Sequence, residues 1–541
     1  MCEVIRDNFE YYFPVIEKAI RRSDFLGIDT EFTGLTIGEQ TKPSLFDTGE
    51  ERYKKLRKCV TQITINQLGL AAFIKDPKEN RYEVQSFNFY LFPTTFGPVD
   101  VCFMVQASSW EFQCKYNMDF NKMIYHGISF MNEEQYSLVK DHICSHAMNS
   151  GQLRVADEHA AQKICSQIAA WVISSKEKDK YIVKTQDIQG IKDFFVLSKE
   201  IRNRFPLVWT ATDESGNIIV EKVTIETRQQ LEQESAEAQQ KEEQKLLESM
   251  LGITRVFRVL TECKKPLVGH NMLFDLLLLY DKFYKPLPVS YRQFKVELSS
   301  MLPTVFDTKH ITNTLQKPMG ETGLLDSTTL EDLYIMFKSP KGREHVIHSP
   351  DIFHAEGFDR YKTKHVPHEA GYDSFLCGYV FLRLAHILTF QETKSSEVVP
   401  CTFRRYLQSL ASYTNRINVI RASLSHICLD DPDPPSRRPE LLYVKSRHLT
   451  KPLNIIQLAS WFSPYGSVDI RLEDKTRAHV AAGNFRCAKD ILAAFKGHDT
   501  IYVTKYSIWR HSLVVRSLLW AGTLVSGGIC LWALWPGQKN A

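Results

Sequence analysis

Three acidic clusters constrain the fold of this chain more than any other feature, because a fold that uses them together must bring one strand and two helices to a single point. The apolar run Phe25-Leu-Gly-Ile28 feeds Asp29-Thr-Glu31, and residues two apart on a strand face the same side. Asp29 and Glu31 can therefore share a cation. Pro266-Leu-Val-Gly-His-Asn271 reads as a short buried strand that turns at Gly269 into a helix over Met272–Tyr284. Asp275 falls in that helix's first turn, where the dipole tolerates a carboxylate. His368-Glu-Ala-Gly-Tyr-Asp373 opens a further helix with an apolar stripe through Leu376, Val380, Leu384 and Ile387. Asp373 is expected on its first turns and His368 just before it.

Four carboxylates without a cysteine or paired-histidine site suit hard cations, usually Mg²⁺ with retained waters. Two such ions roughly 3.5–4 Å apart stabilise the attacking and leaving oxygens of phosphodiester cleavage. Asp29, Glu31, Asp275 and Asp373 are the candidate ligands of two Mg²⁺, and His368 is the candidate general base, since imidazole titrates near working pH. Each motif alone has a plainer reading. An Asp-x-Glu pair is mostly solvated, Asp275 could start a helix, and His368 could be a loop histidine. Their order, their context and the His-x4-Asp spacing agree on the catalytic reading. Glu369 reads as an ordinary first-turn acid. Asp307 is either a supporting group or a structural strand end, and Lys309 is a weak candidate for meeting an RNA phosphate as a point charge.

Asp29-Thr-Glu31, Asp275 and His368-x4-Asp373 resemble the DEDDh pattern of 3′-to-5′ exonucleases; a tyrosine-type relative would carry Tyr where Glu369 stands. More narrowly, Glu50-Glu-Arg-Tyr-Lys-Lys-Leu56, Gln85-Ser-Phe-Asn-Phe-Tyr-Leu-Phe-Pro93, Val268-Gly-His-Asn-Met-Leu-Phe-Asp275, Phe306-Asp-Thr-Lys309 and His368-Glu-Ala-Gly-Tyr-Asp373 are similar to the poly(A)-specific ribonuclease family. The likeness covers most of residues 1–505. With the apolar C-terminus added, the chain most resembles the membrane-anchored branch of that family, which trims piRNA 3′ ends. The resemblance implies a ribonuclease-H-like α/β nuclease, Mg²⁺ dependence and a homodimer. It also implies PIWI-bound piRNA intermediates in germ cells as substrates, presented by a membrane Tudor–KH scaffold.

At 541 residues the chain exceeds one ordinary domain and should hold about three soluble units. A net charge of +4 is mild, so any nucleic-acid surface is local. Twelve cysteines without Cys-x2-Cys pairs argue against a zinc ribbon or a disulfide framework and favour a reducing compartment. There is no signal peptide; Asn8–Arg21 reads as an amphipathic helix before the first strand. Strands over Thr61–Ile74 and Glu83–Phe92 complete a mixed sheet. The nuclease is expected to occupy residues 1–138 and 247–428. Between them, residues 139–246 carry helical stretches at Ala156–Ser174 and Ile188–Phe205, a strand pair within Trp209–Glu226 and a charged, solvated helix at Thr227–Glu248. The family holds a small Arg-x3-His-type RNA-binding module there. That signature is missing from this stretch, which leaves RNA binding and a structural insertion both open.

Cys401–Cys428 is expected to continue as helix, closing the core or making a dimer contact. Residues 429–440 form a proline-rich linker. Residues 441–506 then give a βαββαβ order that resembles an RNA-recognition motif, although a degenerate one. Tyr443 is the sole stacking candidate on its first strand, so the domain either contacts RNA through Lys445, Arg447 and Lys451 or, the favoured reading, serves as a packing or partner surface. Leu513–Trp535 has its longest uncharged run from Ser517 to Trp535, which at about 1.5 Å per residue approaches the ~30 Å hydrocarbon thickness. It reads as a single-pass tail anchor, with the basic residues before it keeping the large domain cytosolic. Endoplasmic reticulum and mitochondrial outer membrane are not separated by these features.

The expected activity is hydrolysis from a free RNA 3′ end, releasing nucleoside 5′-monophosphates. A membrane-tethered mRNA deadenylase is the alternative within the enzyme class, and an inactive RNA-binding scaffold the alternative from another class.

Overall fold

A computed structural model describes residues 3–144, 155–184, 194–213, 216–316, 318–320, 324–393, 401–436, 438–448 and 452–534. The chain forms two compact units, Met1–Thr36 with Arg57–Asn415, and Ile37–Leu56 with Arg416–Ala541.

The first unit is mixed α/β. Its strands are β1 (Glu3–Val4), β2 (Phe25–Phe32), β3 (Ile65–Lys75), β4 (Arg81–Tyr90), β5 (Lys180–Val183), β6 (Val208–Thr212), β7 (Ile218–Lys222), β8 (Leu267–Gly269), β9 (Val305–Asp307) and β10 (Asp351–His354). The main sheet runs β1-β4-β3-β2-β8-β9, with β10 also beside β4. β2, β3 and β4 pair antiparallel, whereas β8 and β9 run parallel to β2. This is the mixed sheet expected of a ribonuclease-H-like nuclease. Apolar residues fill β2 and β3 on both faces, as a central strand covered on both sides requires.

The helix Ala370–Thr393 packs across β2, β3 and β4. Leu376, Val380, Leu384 and Ile387 are all buried, as the stripe in the sequence implies. Its Ala370–Gln391 stretch is long and apolar enough to cross a membrane but is almost wholly buried inside the protein, so it is the core helix. Two glycines let it approach. A Cβ on Gly27 would lie 2.1 Å from the Ser374 carbonyl oxygen, and one on Gly69 would lie 1.8 Å from that of Ala370.

Between β4 and β8, the helices Val155–Ser174 and Phe194–Arg204 cover a three-stranded antiparallel sheet, β5-β7-β6. This part has its own core, including Ile164, Ile168, Leu197, Ile201, Ile218 and Val220. The expected start of its second helix, residues 188–193, lies outside the described residues. The charged helix runs over Ile225–Leu251 from a Thr224 cap. It is not solvated throughout, because Leu247, Met250 and Leu251 pack with Met131, Val139 and Ile143.

The helix expected over Cys401–Cys428 is confined to Phe403–Ser409 and a short 3-10 turn at Ala411–Tyr413. Asn415 ends it. Its backbone is left-handed (φ 58°), and its amide bonds Val305 N at 3.0 Å and Pro303 O at 2.9 Å. Residues Ile417 and Ile427, with a helix-compatible pattern before them, lie instead in an antiparallel hairpin, β11 (Arg416–Asn418) with β12 (His426–Cys428).

In the second unit β13 (Leu442–Ser446), β14 (Val468–Leu472), β15 (Arg477–Ala482) and β16 (Ile501–Lys505) form an antiparallel sheet ordered β14-β15-β13-β16. The helices Ile455–Phe462 and Phe485–Ala494 complete a βαββαβ chain order. Leu442, Val444, Phe462, Val480, Ile491 and Ile501 share its core. Lys445 and Arg447 are exposed; Lys451 lies outside the described residues. The last helix, Leu513–Leu534, exposes Val514, Leu518, Trp520, Leu524 and Ile529. Trp535 lies outside the described residues.

Candidate active site

The end of β2 carries Asp29 and Glu31, opposite Gly69 and Gln67 of β3. The bare Gly69 leaves room for the start of the Ala370–Thr393 helix, which brings Asp373 down onto the strand end. One ligand atom from each of Glu31, His368 and Asp373 lies within 4.8 Å of the other two. Asp29 sits among the charges of Asp373, Asp275 and Glu31. Asp275 is in the first turn of the helix Leu273–Leu279, buried, and accepts a hydrogen bond from the Thr30 hydroxyl. The four carboxylates expected from the sequence are thus brought together, with His368 at their edge.

His368 combines a strained backbone with ring contacts on its imidazole. Its φ is 62°, a left-handed value that is uncommon outside glycine and costs about 1–3 kcal/mol. Its N–H donates to Asp373 Oδ2 at 3.2 Å, and Nδ1 is 3.9 Å from the same oxygen. The imidazole packs against Phe112 (4.8 Å, edge to face) and Tyr116 (4.2 Å), two rings that also touch each other at 4.8 Å. Burial lowers its pKa below the ordinary imidazole value, which favours the neutral ring.

Burial raises the pKa of all four carboxylates, and at Asp29 and Glu31 the neighbouring acids of the cluster add to it. Burial, then the charges of Asp373, Asp275 and Glu31, push Asp29 well above the usual range. Burial and Asp373 push Glu31 up to about 8. Burial raises Asp373 to about 7 despite the opposing His368 N–H. It raises Asp275 to about 6 although the Thr30 hydroxyl favours ionisation. A cluster of buried acids that repel one another is an all-oxygen donor set that lacks countercharge. It fits a hard divalent cation.

Residues around the cluster support it, among them Asp307, Lys309 and Glu369, which the sequence motifs contain, and Gln67, which they do not. Asp307 is fully buried, and its carboxylate accepts from the backbone N–H groups of Asn271 (2.8 Å), Met272 (3.3 Å) and Lys309 (2.9 Å). It fixes the turn from β8, where Asn271 is left-handed (φ 60°), into the helix bearing Asp275. Lys309 is half-buried and donates to the Thr328 carbonyl at 2.6 Å. Glu369, the nearest acid to the motif, pairs with Arg360 and Tyr361. Gln67 Oε1 and Asn88 Oδ1 accept from Ala370 N (3.2 Å) and Gly371 N (2.9 Å), filling the otherwise open first turn of the core helix.

The CAF1 family ribonuclease profile matches residues 4–381, a span that includes all four carboxylates and His368. The mouse poly(A)-specific ribonuclease PNLDC1 is 34% identical over 97% of each chain. The Bombyx mori pre-piRNA 3′-exonuclease trimmer is 32% identical over 99% of each. The Xenopus laevis poly(A)-specific ribonuclease PARN is 29% identical over 88% of this chain and 76% of its own. Among solved structures, the Mg²⁺- and Mn²⁺-bound form of S. pombe Pop2p aligns at 15% identity over 74% of this chain and 98% of that one, with a TM-score of 0.34. Ribonucleases of this kind use divalent metal ions, and the buried acids described above suit them. The chain belongs to the CAF1 family of ribonucleases and is a 3′-to-5′ exoribonuclease.

Proposed function

We propose that the enzyme trims the 3′ ends of PIWI-bound piRNA precursors, with Asp29, Glu31, Asp275 and Asp373 holding two Mg²⁺ and His368 acting as general base. The observation that carries this reading is the meeting of Glu31, His368 and Asp373 within 4.8 Å, in a chain alike over its whole length to a pre-piRNA trimmer. When bound, the cations would supply the charge that stabilises the attacking and leaving oxygens. The protein's own part is proton handling and alignment. A neutral His368, packed against Phe112 and Tyr116, accepts the proton of the attacking water. Thr30 and Asp307 hold Asp275 and its helix in register. Lys309 has the lesser role of meeting a phosphate with protons not used by Thr328.

The exposed apolar faces of the Leu513–Leu534 helix support a membrane anchor; the endoplasmic reticulum or mitochondrial outer membrane, with the catalytic unit in the cytosol, is its proposed location. Germ cells, a Tudor–KH scaffold and a homodimer are part of the same proposal. The test uses detergent-solubilised full chain and Asp29→Ala with Mg²⁺, on 5′-labelled RNAs of mixed sequence or oligo(A), free and PIWI-loaded. Ladder-wise shortening of mixed-sequence RNA that halts at a protected length and vanishes in the variant is the expected result. Shortening confined to oligo(A) would make the enzyme a deadenylase. No metal-dependent turnover on any substrate would leave an RNA-binding scaffold.

A further inference from the structure

The helix Ala107–Lys115 has an unusual attachment: its buried residue is polar, Gln113, whereas its large apolar Phe112 is exposed. Burying an amide in place of an aromatic is unfavourable unless the amide is fully used. Gln113 is so used. Its Oε1 accepts from Asn66 Nδ2 at 2.8 Å, and Asn66 is itself fully buried on β3. That fixes Nε2 on the other side, where it donates to the Phe32 carbonyl at 3.1 Å and to Glu31 Oε2 at 3.5 Å. The carbonyl can only accept, so the amide cannot be reversed. The same short stretch places Phe112 and Tyr116 against His368. One helix thus touches both the Glu31 carboxylate and the general base.

We propose that Gln113 is a positioning residue that orients Glu31 for cation binding by holding one carboxylate oxygen from a buried, sheet-anchored amide. The proposal rests on the reading of Glu31 as a metal ligand. β2 departs from regular pairing just after Glu31, so the strand alone does not define where this carboxylate points. Gln113 supplies the missing constraint through the Phe32 carbonyl and the carboxylate together. Groups that orient metal ligands in this way typically contribute 10–100-fold to metal affinity or activity.

The experiment titrates Mn²⁺ into detergent-solubilised full chain without RNA, by calorimetry, and follows exonuclease rate against metal concentration. Gln113→Met keeps the volume and removes the donor. Gln113→Asn keeps the amide and withdraws it by one carbon–carbon bond, and serves if the first variant fails to fold. Glu31→Gln tests the underlying reading. The expected result is Mn²⁺ binding weakened on the order of 10-fold or more in both Gln113 variants, with turnover recovering at high metal. Unchanged Mn²⁺ affinity in a Gln113 variant, with only a lower melting temperature, would overturn the proposal and leave Gln113 a structural partner of Asn66 and the Phe32 carbonyl. Unchanged affinity in Glu31→Gln would instead overturn the ligand reading beneath it.

Discussion

The two units of this enzyme treat their polar groups in opposite ways. At the end of β2 the acids Asp29, Glu31, Asp275 and Asp373 are packed against one another with their pKa values raised. On the four-stranded sheet of the second unit the charges find partners. Arg477 pairs with Asp474 and Glu473, and Tyr443 is stacked by His511 at 4.3 Å. Repulsion left standing in a folded protein marks a place where a ligand is needed. An aromatic face that is already covered, as that of Tyr443 is by His511, has less left to offer a base. The catalytic role is therefore assigned to the first region, and the sheet face in the second is read as a seat for the chain's own 506–511 segment.

The largest break of this contrast is Asp275→Asn. It removes one charge from the cluster but keeps the shape, and its effects on rate and stability should have opposite signs. Turnover should fall on the order of a thousandfold, about 4 kcal/mol of transition-state stabilisation. The metal-free protein should melt no lower than the parent, because repulsion is relieved. Single-turnover rates and thermal unfolding in EDTA check both. A variant that loses activity and melts markedly lower in EDTA would show that Asp275 is a structural acid.

Next is Gly27→Ala. The added Cβ would meet the Ser374 carbonyl oxygen at 2.1 Å, so the core helix must shift and carry Asp373 with it. Overpacking of this kind costs about 1–3 kcal/mol. A drop in melting temperature with at least a tenfold loss of turnover is expected, and unchanged turnover would mean that the helix and strand end are not rigidly coupled.

How much of this was legible in the sequence follows from which interactions are local. Asp29, Glu31, Asp275, His368 and Asp373 stand in short motifs whose strand or helix context is written beside them, and the structure brings them together. The stripe through Leu376, Val380, Leu384 and Ile387 gave the core helix its buried face for the same reason. Gln113 was not legible. Its importance comes from Asn66 and Phe32, residues 47 and 81 positions away, and nothing in its own neighbourhood distinguishes it. The helix read through Cys428 failed because the apolar period from Phe403 to Ile417 suits a helix, whereas Asn415, tied to β9, reverses the chain. The packed end of the Ile225–Leu251 helix was hidden by the Gln- and Glu-rich stretch before it.

Metal removal should sharpen the contrast through pH. Glu31 and Asp373 have folded pKa values of about 8 and about 7, raised chiefly by burial above their ordinary values. The folded metal-free protein therefore binds more protons than the unfolded chain between about pH 4 and 8, and loses stability as pH rises through that window. A divalent cation reverses the sign by favouring the ionised acids. The difference in melting temperature with and without Mg²⁺ should be larger at pH 8 than at pH 5, and a difference that is flat or larger at pH 5 would mean that these carboxylates do not bind the ion.

The smallest effect on catalysis is expected in the second unit. Tyr443→Leu keeps most of the burial and removes the ring that His511 and, at 6.0 Å, His479 face. A solvent-facing stacking platform would lose about 1–3 kcal/mol of RNA binding per base on such a change. Tyr443 is only 6% exposed, so no base can reach it without displacing His511. Turnover and RNA affinity should stay within about twofold of the parent, since a contact that is not made contributes nothing to ΔG. The melting temperature should fall modestly through loss of the ring contact. A loss of RNA affinity beyond tenfold, with the fold intact, would show that His511 moves aside and that this sheet face, too, works on RNA.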